Sequence, residues 1–267
     1  MSCLLFDFAI EPLAAAFRSS SLKGFPVPGS TERLVAKLFA DDTTVFLSEE
    51  DDYTIVEDIT AVWCRGSRAK FNLPKTEVIP VGTETYRNGV LATRQLSPVG
   101  SRVHDGIHIV RDGEAIRLLG AWIGNRTDPL LSWRPIVDTI KTNLAKWTLR
   151  RPTLHGKKLV AGMELGARTQ FRAKAQGMPA AVVAELNKMV RGFIWGEGKA
   201  PKVALASLQM DVRNGGLRLI DLDARNEAVD MMWLKQYLHL APGRSPNDLR
   251  ANVWSIRRLQ SATVYRV

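Results

Sequence analysis

The chain has 267 residues, enough to bury roughly 70–75% of its unfolded surface in one large domain or two modest ones. Hydrophobic residues make up 45% and charged residues 24%, which excludes a disordered or collagen-like chain, and two cysteines, Cys3 and Cys64, exclude a disulfide framework. The net charge is +10, and no stretch reaches the ~20 apolar residues of a membrane span or has the basic start of a secretion signal, so an intracellular protein of nucleus or cytoplasm is expected.

Leu5, Phe8, Ala9, Leu13 and Phe17 recur every three to four residues, so Cys3 to about Arg18 is expected to form a buried helix, capped by Ser2 and kinked at Pro12. Gly24, Pro26, Pro28 and Gly29 mark a loop. Arg33–Ala40 and Thr43–Ser48 are short runs rich in Leu, Val and Phe on either side of Asp41-Asp42, a hairpin pattern. The acidic run Glu49-Glu50-Asp51-Asp52 suits a helix N-terminus, where the dipole favours negative charge; the helix is expected to reach about Ala69.

Glu77–Val81 reads as a strand, and Tyr86–Asp105 has no convincing period. Ile107–Val110 and Ala115–Ile123 read as a second hairpin around Asp112-Gly113. Beyond Asn125 helices are expected over roughly 132–150, 155–175 and 179–195, the second with Val160, Met163, Ala167 and Phe171 as its apolar face. Trp195, Met231, Met232 and Trp233 are expected in the helical core. The fold class is therefore α+β, a mixed segment 1–127 followed by helices over 128–200 and 201–267.

Charge follows the same division. Residues 1–100 carry 10 basic and 13 acidic side chains, whereas 101–267 carry 27 and 14. Residues 141–202 alone hold 13 basic side chains, Lys157, Lys158, Arg168, Arg172 and Lys174 among them, against Glu164, Glu185 and Glu197. A basic block across several helices favours a polyanion partner over a merely solvated face. Lys157, Arg168 and Arg172 fall opposite the apolar stripe of 155–175 and are expected to face phosphates.

Asp41 and Asp42 are adjacent carboxylates at a hairpin corner, so their repulsion invites a cation. Mg²⁺ fits, since it takes hard oxygen ligands and often uses one or two carboxylates plus substrate phosphates. In this context the sequence resembles the reverse transcriptases of non-LTR (LINE-type) retrotransposons. Met1–Ala14 is similar to the family's helix after a Gln-Gly-Asp-Pro turn, and Phe39-Ala40-Asp41-Asp42 to its Phe/Tyr-x-Asp-Asp hairpin. Asn72-Leu73-Pro74-Lys75-Thr76 resembles its Asn-x-x-Lys-Thr segment and Leu118-Leu119-Gly120 its primer-grip hairpin. Phe193-Ile194-Trp195-Gly196, Gly215-Gly216-Leu217, Asn226-Glu227-Ala228 and Trp233-Leu234-Lys235 look like its thumb and post-thumb blocks.

The resemblance implies a partial right-hand polymerase palm of two β-hairpins packed with helices, then an all-α thumb and post-thumb region. It implies that Asp41 and Asp42 help hold Mg²⁺, that Lys75 lies near an incoming dNTP, and that Leu119-Gly120 supports the primer end. Its partners would be an RNA template and a DNA primer. The family's third catalytic carboxylate, on a strand before the Gln-Gly-Asp-Pro turn, has no counterpart here, nor do the fingers, so a truncated, inactive copy is expected. Two alternatives share the same residues: a non-catalytic nucleic-acid-binding fragment, and an unrelated Mg²⁺-dependent phosphotransferase or nuclease using Asp41 and Asp42 with a residue such as Glu49.

Overall fold

The computed structural model describes residues 2–26, 33–196, 198–238 and 261–266. Helices and short sheets mix in the first part, and helices dominate from Pro129 onward, an α+β chain. It falls into two compact units, one of residues 1–119, 123–127 and the described part of 236–267, the other of 120–122 and 128–235. The division near residue 127 coincides with the change in composition. Residues 201–235 group with the helical unit.

In the first unit, helix α1 (Ser2–Ser19) buries Ile10, Leu13, Ala14 and Phe17. Its first turns differ from the expected buried helix, because Leu4, Leu5, Phe6 and Phe8 are exposed. Strands β1 (Phe25–Pro26) and β2 (Arg33–Leu34) pair with each other. Next come β3 (Ala36–Phe39), β4 (Asp42–Ser48), α2 (Tyr53–Ser67), β5 (Glu77–Gly82), α3 (Glu84–Thr93) and β6 (His108–Ile109). A small hairpin of β7 (Ile116–Leu118) and β8 (Ala121–Ile123) follows.

The main sheet has the order β3-β4-β9-β5-β6, where β9 is Ser261–Arg266. β9 runs antiparallel to both neighbours, and β6 runs parallel to β5. One face packs Val45, Leu47 and Val78 against Leu13 and Phe17 of α1 and Tyr53 and Val56 of α2. The opposite face packs Phe46 and Ile79 with Phe25, Val110 and Ile116. This two-sided burial explains the nearly unbroken apolar runs of β4 and β5.

Four expectations are corrected. The strand at 107–110 pairs with β5, not with the strand at 116–118, and the hairpin turn lies at Leu119-Gly120. Asp112, expected at a hairpin turn, instead receives Nε and Nη2 of the buried Arg87, at 2.8 and 2.6 Å. That ion pair anchors α3, a helix hidden from periodicity because it buries an arginine beside Val90. β9 is a strand in a stretch expected to be helical.

The acidic run before α2 is a set of specific acceptors rather than a diffuse dipole partner. Asp51 is buried and accepts from the backbone N–H groups of Lys23 (2.6 Å), Gly24 (3.0 Å) and Ser48 (2.8 Å), tying the loop after α1 to the end of β4. Asp52 caps α2 by accepting from Thr54 N at 3.0 Å, and also from Ser101 Oγ at 2.5 Å.

The second unit consists of α4 (Pro129–Leu149), α5 (Leu154–Ala161), a π turn (Gly162–Ala167), α6 (Arg168–Gln176), α7 (Ala180–Trp195), α8 (Leu205–Gln209) and most of α9 (Leu222–Leu238). Trp133, Ile140, Leu165, Leu186, Phe193 and Leu222 form its core. Trp195 packs at the edge of that core, and Trp233 donates from Nε1 to Lys174 O at 3.0 Å, whereas Met231 is exposed. Within the Gly215-Gly216-Leu217 block, a Cβ on Gly216 would lie 2.1 Å from the carbonyl oxygen of Met210, so only glycine fits there.

Asp51→Ala is expected to strand three backbone donors and cost about 3 kcal/mol in urea unfolding, with Asp51→Asn losing less. The Ser101 hydroxyl and Thr54 N–H hold the Asp52 carboxyl down at about 2. A lowered folded-state value stabilises above the unfolded value of about 3.9, and that contribution fades as pH falls toward 2. Asp52→Asn is therefore expected to flatten the melting temperature between pH 4 and 2 relative to the parent chain.

Candidate functional site

β3 and β4 form a tight hairpin in the register Ala36↔Val45, Lys37↔Thr44, Leu38↔Thr43 and Phe39↔Asp42, leaving Ala40 and Asp41 as the two turn residues. Ala40 has φ 49°, a left-handed conformation that costs a non-glycine residue roughly 1–2 kcal/mol. Burial of Val45 and Leu47, both fully inaccessible, holds the strands in place and offsets that strain.

Period-2 alternation separates the hairpin's side chains. Thr43, Val45 and Leu47 are buried on one side, and Thr43 Oγ1 has no hydrogen-bond partner among the described residues. Asp42 and Thr44 face the other side, where they line a small cleft of about 30 Å³ with Lys37, Phe39, Leu118 and Leu119. Asp41 is exposed at the corner and Asp42 is half-buried. Phe39, which the sequence suggests as core packing, is 64% exposed at the cleft.

The cleft brings together two site elements 77 positions apart in sequence, Asp42 and Leu119. Leu119 and Gly120 have φ 47° and 86°, the positive values that both central residues of a type I′ turn require. A Cβ at Gly120 would stand 2.9 Å from Cε1 of Phe171, so glycine is needed for close approach as well as for conformation. Lys75 is exposed in a 3-10 turn, Leu73–Lys75, and is not among the cleft-lining residues.

Two adjacent carboxylates match Mg²⁺, which keeps several waters and completes its octahedron with phosphate oxygens. Among the described residues no group of three or more His, Cys, Asp or Glu side chains is placed to hold a metal, so Glu49 does not join the pair.

The basic residues divide differently from the expectation. The stripe Val160, Met163, Ala167, Phe171 is not the buried face: Met163 is 48% and Phe171 57% exposed. The buried positions are Val160, Ala161, Leu165, Thr169 and Ala173. The π turn at Gly162–Ala167 inserts an extra residue per turn and rotates the following residues, which simple helical spacing does not anticipate.

Arg168 remains exposed, as expected, while other expected phosphate ligands turn partly inward. Glu164 is buried and accepts from Arg168 Nε and Asn143 Nδ2, each at 2.9 Å. Arg172 is half-buried, donating to Ser132 O and lying 6.0 Å from the Trp133 ring centre. Lys157 donates to Ile194 O at 2.8 Å and sits over the Phe193 ring. Lys158 and Lys174 are half-buried. Lys141, Lys146, Arg150 and Arg151 are exposed and carry charge to solvent.

No protein-family model matches this chain, and a comparison with curated proteins found no match. Among the described residues no helix is long and apolar enough to cross a membrane.

Arg168→Ala and Arg172→Ala are each expected to cost about 2 kcal/mol of stability, the first by leaving a buried carboxylate with one partner, the second by removing a half-buried donor and its ring contact. Urea unfolding checks this, and an unchanged midpoint would mean that the contacts of neither arginine stabilise the helical unit.

Proposed function

We propose that this chain is the C-terminal palm and the thumb of a reverse transcriptase of the non-LTR type, that it grips a template–primer duplex, and that it does not extend primers by itself. The observation that carries the reading is the cleft shared by Asp42 and Leu119. A hairpin carboxylate and a second turn at one depression are what positioning a primer terminus against a nucleotide needs.

Asp41 and Asp42 would hold Mg²⁺, which when bound neutralises charge on triphosphate oxygens. The chain's own contributions are positional. The strained Ala40 corner presents both carboxylates at the end of a buried hairpin, and Leu119 offers an apolar support on the cleft wall. The exposed lysines and arginines of the helical unit supply sequence-independent attraction to phosphates. The two-carboxylate corner, without a third acidic partner among the described residues, is the reason for expecting no unaided primer extension.

Two measurements test the reading. A primed RNA template with Mg²⁺ and dNTPs is expected to show no extension. RNA–DNA duplex is nevertheless expected to bind with strong salt dependence. Lys146→Ala plus Arg150→Ala, one helical turn apart and exposed, is expected to keep the fold and lower the slope of log K against log salt by up to about two. Salt-independent affinity would overturn the duplex-binding assignment.

A further inference from the structure

Between α4 and α5 the chain runs Arg150-Arg151-Pro152-Thr153-Leu154. Thr153 is the only serine or threonine of the sequence with arginine both two and three residues before it. Both arginines are exposed, and neither forms an ion pair among the described residues. Thr153 and Leu154 are exposed as well. The Thr153 hydroxyl caps α5 by accepting from Gly156 N at 3.2 Å and donates to no described residue, so its proton is free to leave. Protein kinases that select basic substrates pair such arginines with carboxylates of their own and take the substrate in extended form. Residues 150–153 lie outside both helices, and Thr153 is already extended at φ −60° and ψ 166°. Arg151 gives up a left-handed φ of 48° when the segment straightens, which favours that step.

We propose that Thr153 is a phosphorylation site for an ATP-dependent protein kinase selective for basic substrates, and that its phosphate weakens the hold of the helical unit on polyanions. The second part rests on the duplex-binding reading above; the first does not. In the transfer, Thr153 Oγ1 forms a bond to the γ-phosphorus of ATP while the bond from that phosphorus to its bridging oxygen breaks. ADP leaves with the electron pair, and the hydroxyl proton passes to a carboxylate of the kinase. Residues 139–163 hold six lysines and arginines and no carboxylate. A phosphate carrying about −1.5 to −2 charges at pH 7 is therefore the first negative side chain in that stretch, two and three residues from Arg151 and Arg150. It competes with nucleic-acid phosphates for both. Neutralising up to two contacts lowers the slope of log K against log salt by up to about two, and each contact is worth about eightfold in affinity at 0.1 M salt relative to 1 M. The phosphate oxygens replace the hydroxyl as acceptor for Gly156 N, so the fold is expected to persist.

Incubating the full chain with the catalytic subunit of cAMP-dependent protein kinase, Mg²⁺ and ATP, followed by peptide mass spectrometry, tests the site. Phosphate is expected on Thr153, retained at that position in Thr153→Ser, and lost in Thr153→Ala and in Arg150→Gln plus Arg151→Gln, which keeps the hydroxyl. Far-UV circular dichroism and melting temperature check that each variant is folded. No phosphate on Thr153 in the folded parent, phosphate there only after unfolding in urea, or equal labelling of the double-glutamine variant overturns the assignment. The phosphorylated chain is then compared with the parent in binding RNA–DNA duplex as salt rises, and weaker binding with a flatter slope is expected. Duplex affinity that is present in the parent and unchanged by the phosphate overturns the regulatory part alone. Absence of duplex binding from the unmodified chain overturns the polyanion reading and the regulation with it, and leaves Thr153 as a phosphorylation site.

Discussion

Two parallel strands joined by a helix leave a row of backbone amides and carbonyls along their inner edges, and buried polar groups of this kind have to be paired. In this chain the partner is Ser261–Arg266, 179 positions beyond the end of β5 in sequence. The hairpin that carries Asp41 and Asp42 is anchored on one side by β3 and on the other by β9. Both hydrophobic layers, Val45 and Val78 on one face and Phe46 and Ile79 on the other, flank the lane that β9 occupies. The placement of the carboxylate corner thus depends on a contact between distant parts of the sequence.

Around that sheet, polar side chains do structural work that their charge alone does not reveal. Asp51 is spent on three backbone donors, Asp112 on a buried arginine, and Glu164 on an arginine and an asparagine inside the helical core. Asp41 and Asp42 stand at a strained turn, the kind of backbone conformation that persists only when its surroundings determine it.

The first hairpin, α2, β5, α4 and α7 were legible because each carries an unmixed period bounded by turn residues or caps. α3 was not, since its burial runs through Arg87, and neither was β9, because a six-residue strand whose partners lie near residues 44 and 80 has no local signal of its pairing. The Asp41–Asp42 corner and the Leu119-Gly120 turn were readable as residues. Their meeting at one cleft was not, because it depends on tertiary folding. The basic face was misjudged in part: Arg168 is exposed as expected, but a π turn at Gly162–Ala167 breaks the 3.6-residue spacing on which the assignment of Arg172 and of the apolar stripe rested.

That displacement changes what the helical unit has to offer a polyanion. Half-buried cations such as Lys157 and Arg172 already satisfy carbonyls and lie over rings, so drawing them out to phosphate would expose their partners to an unpaired state. Exposed residues near the end of α4, Lys146, Arg150 and Arg151, carry no such cost, and long flexible side chains can follow a phosphate backbone without a fixed register. A grip of that kind has little means of reading bases. On the proposed reading it would hold a duplex of any sequence and leave specificity to base pairing within the duplex itself.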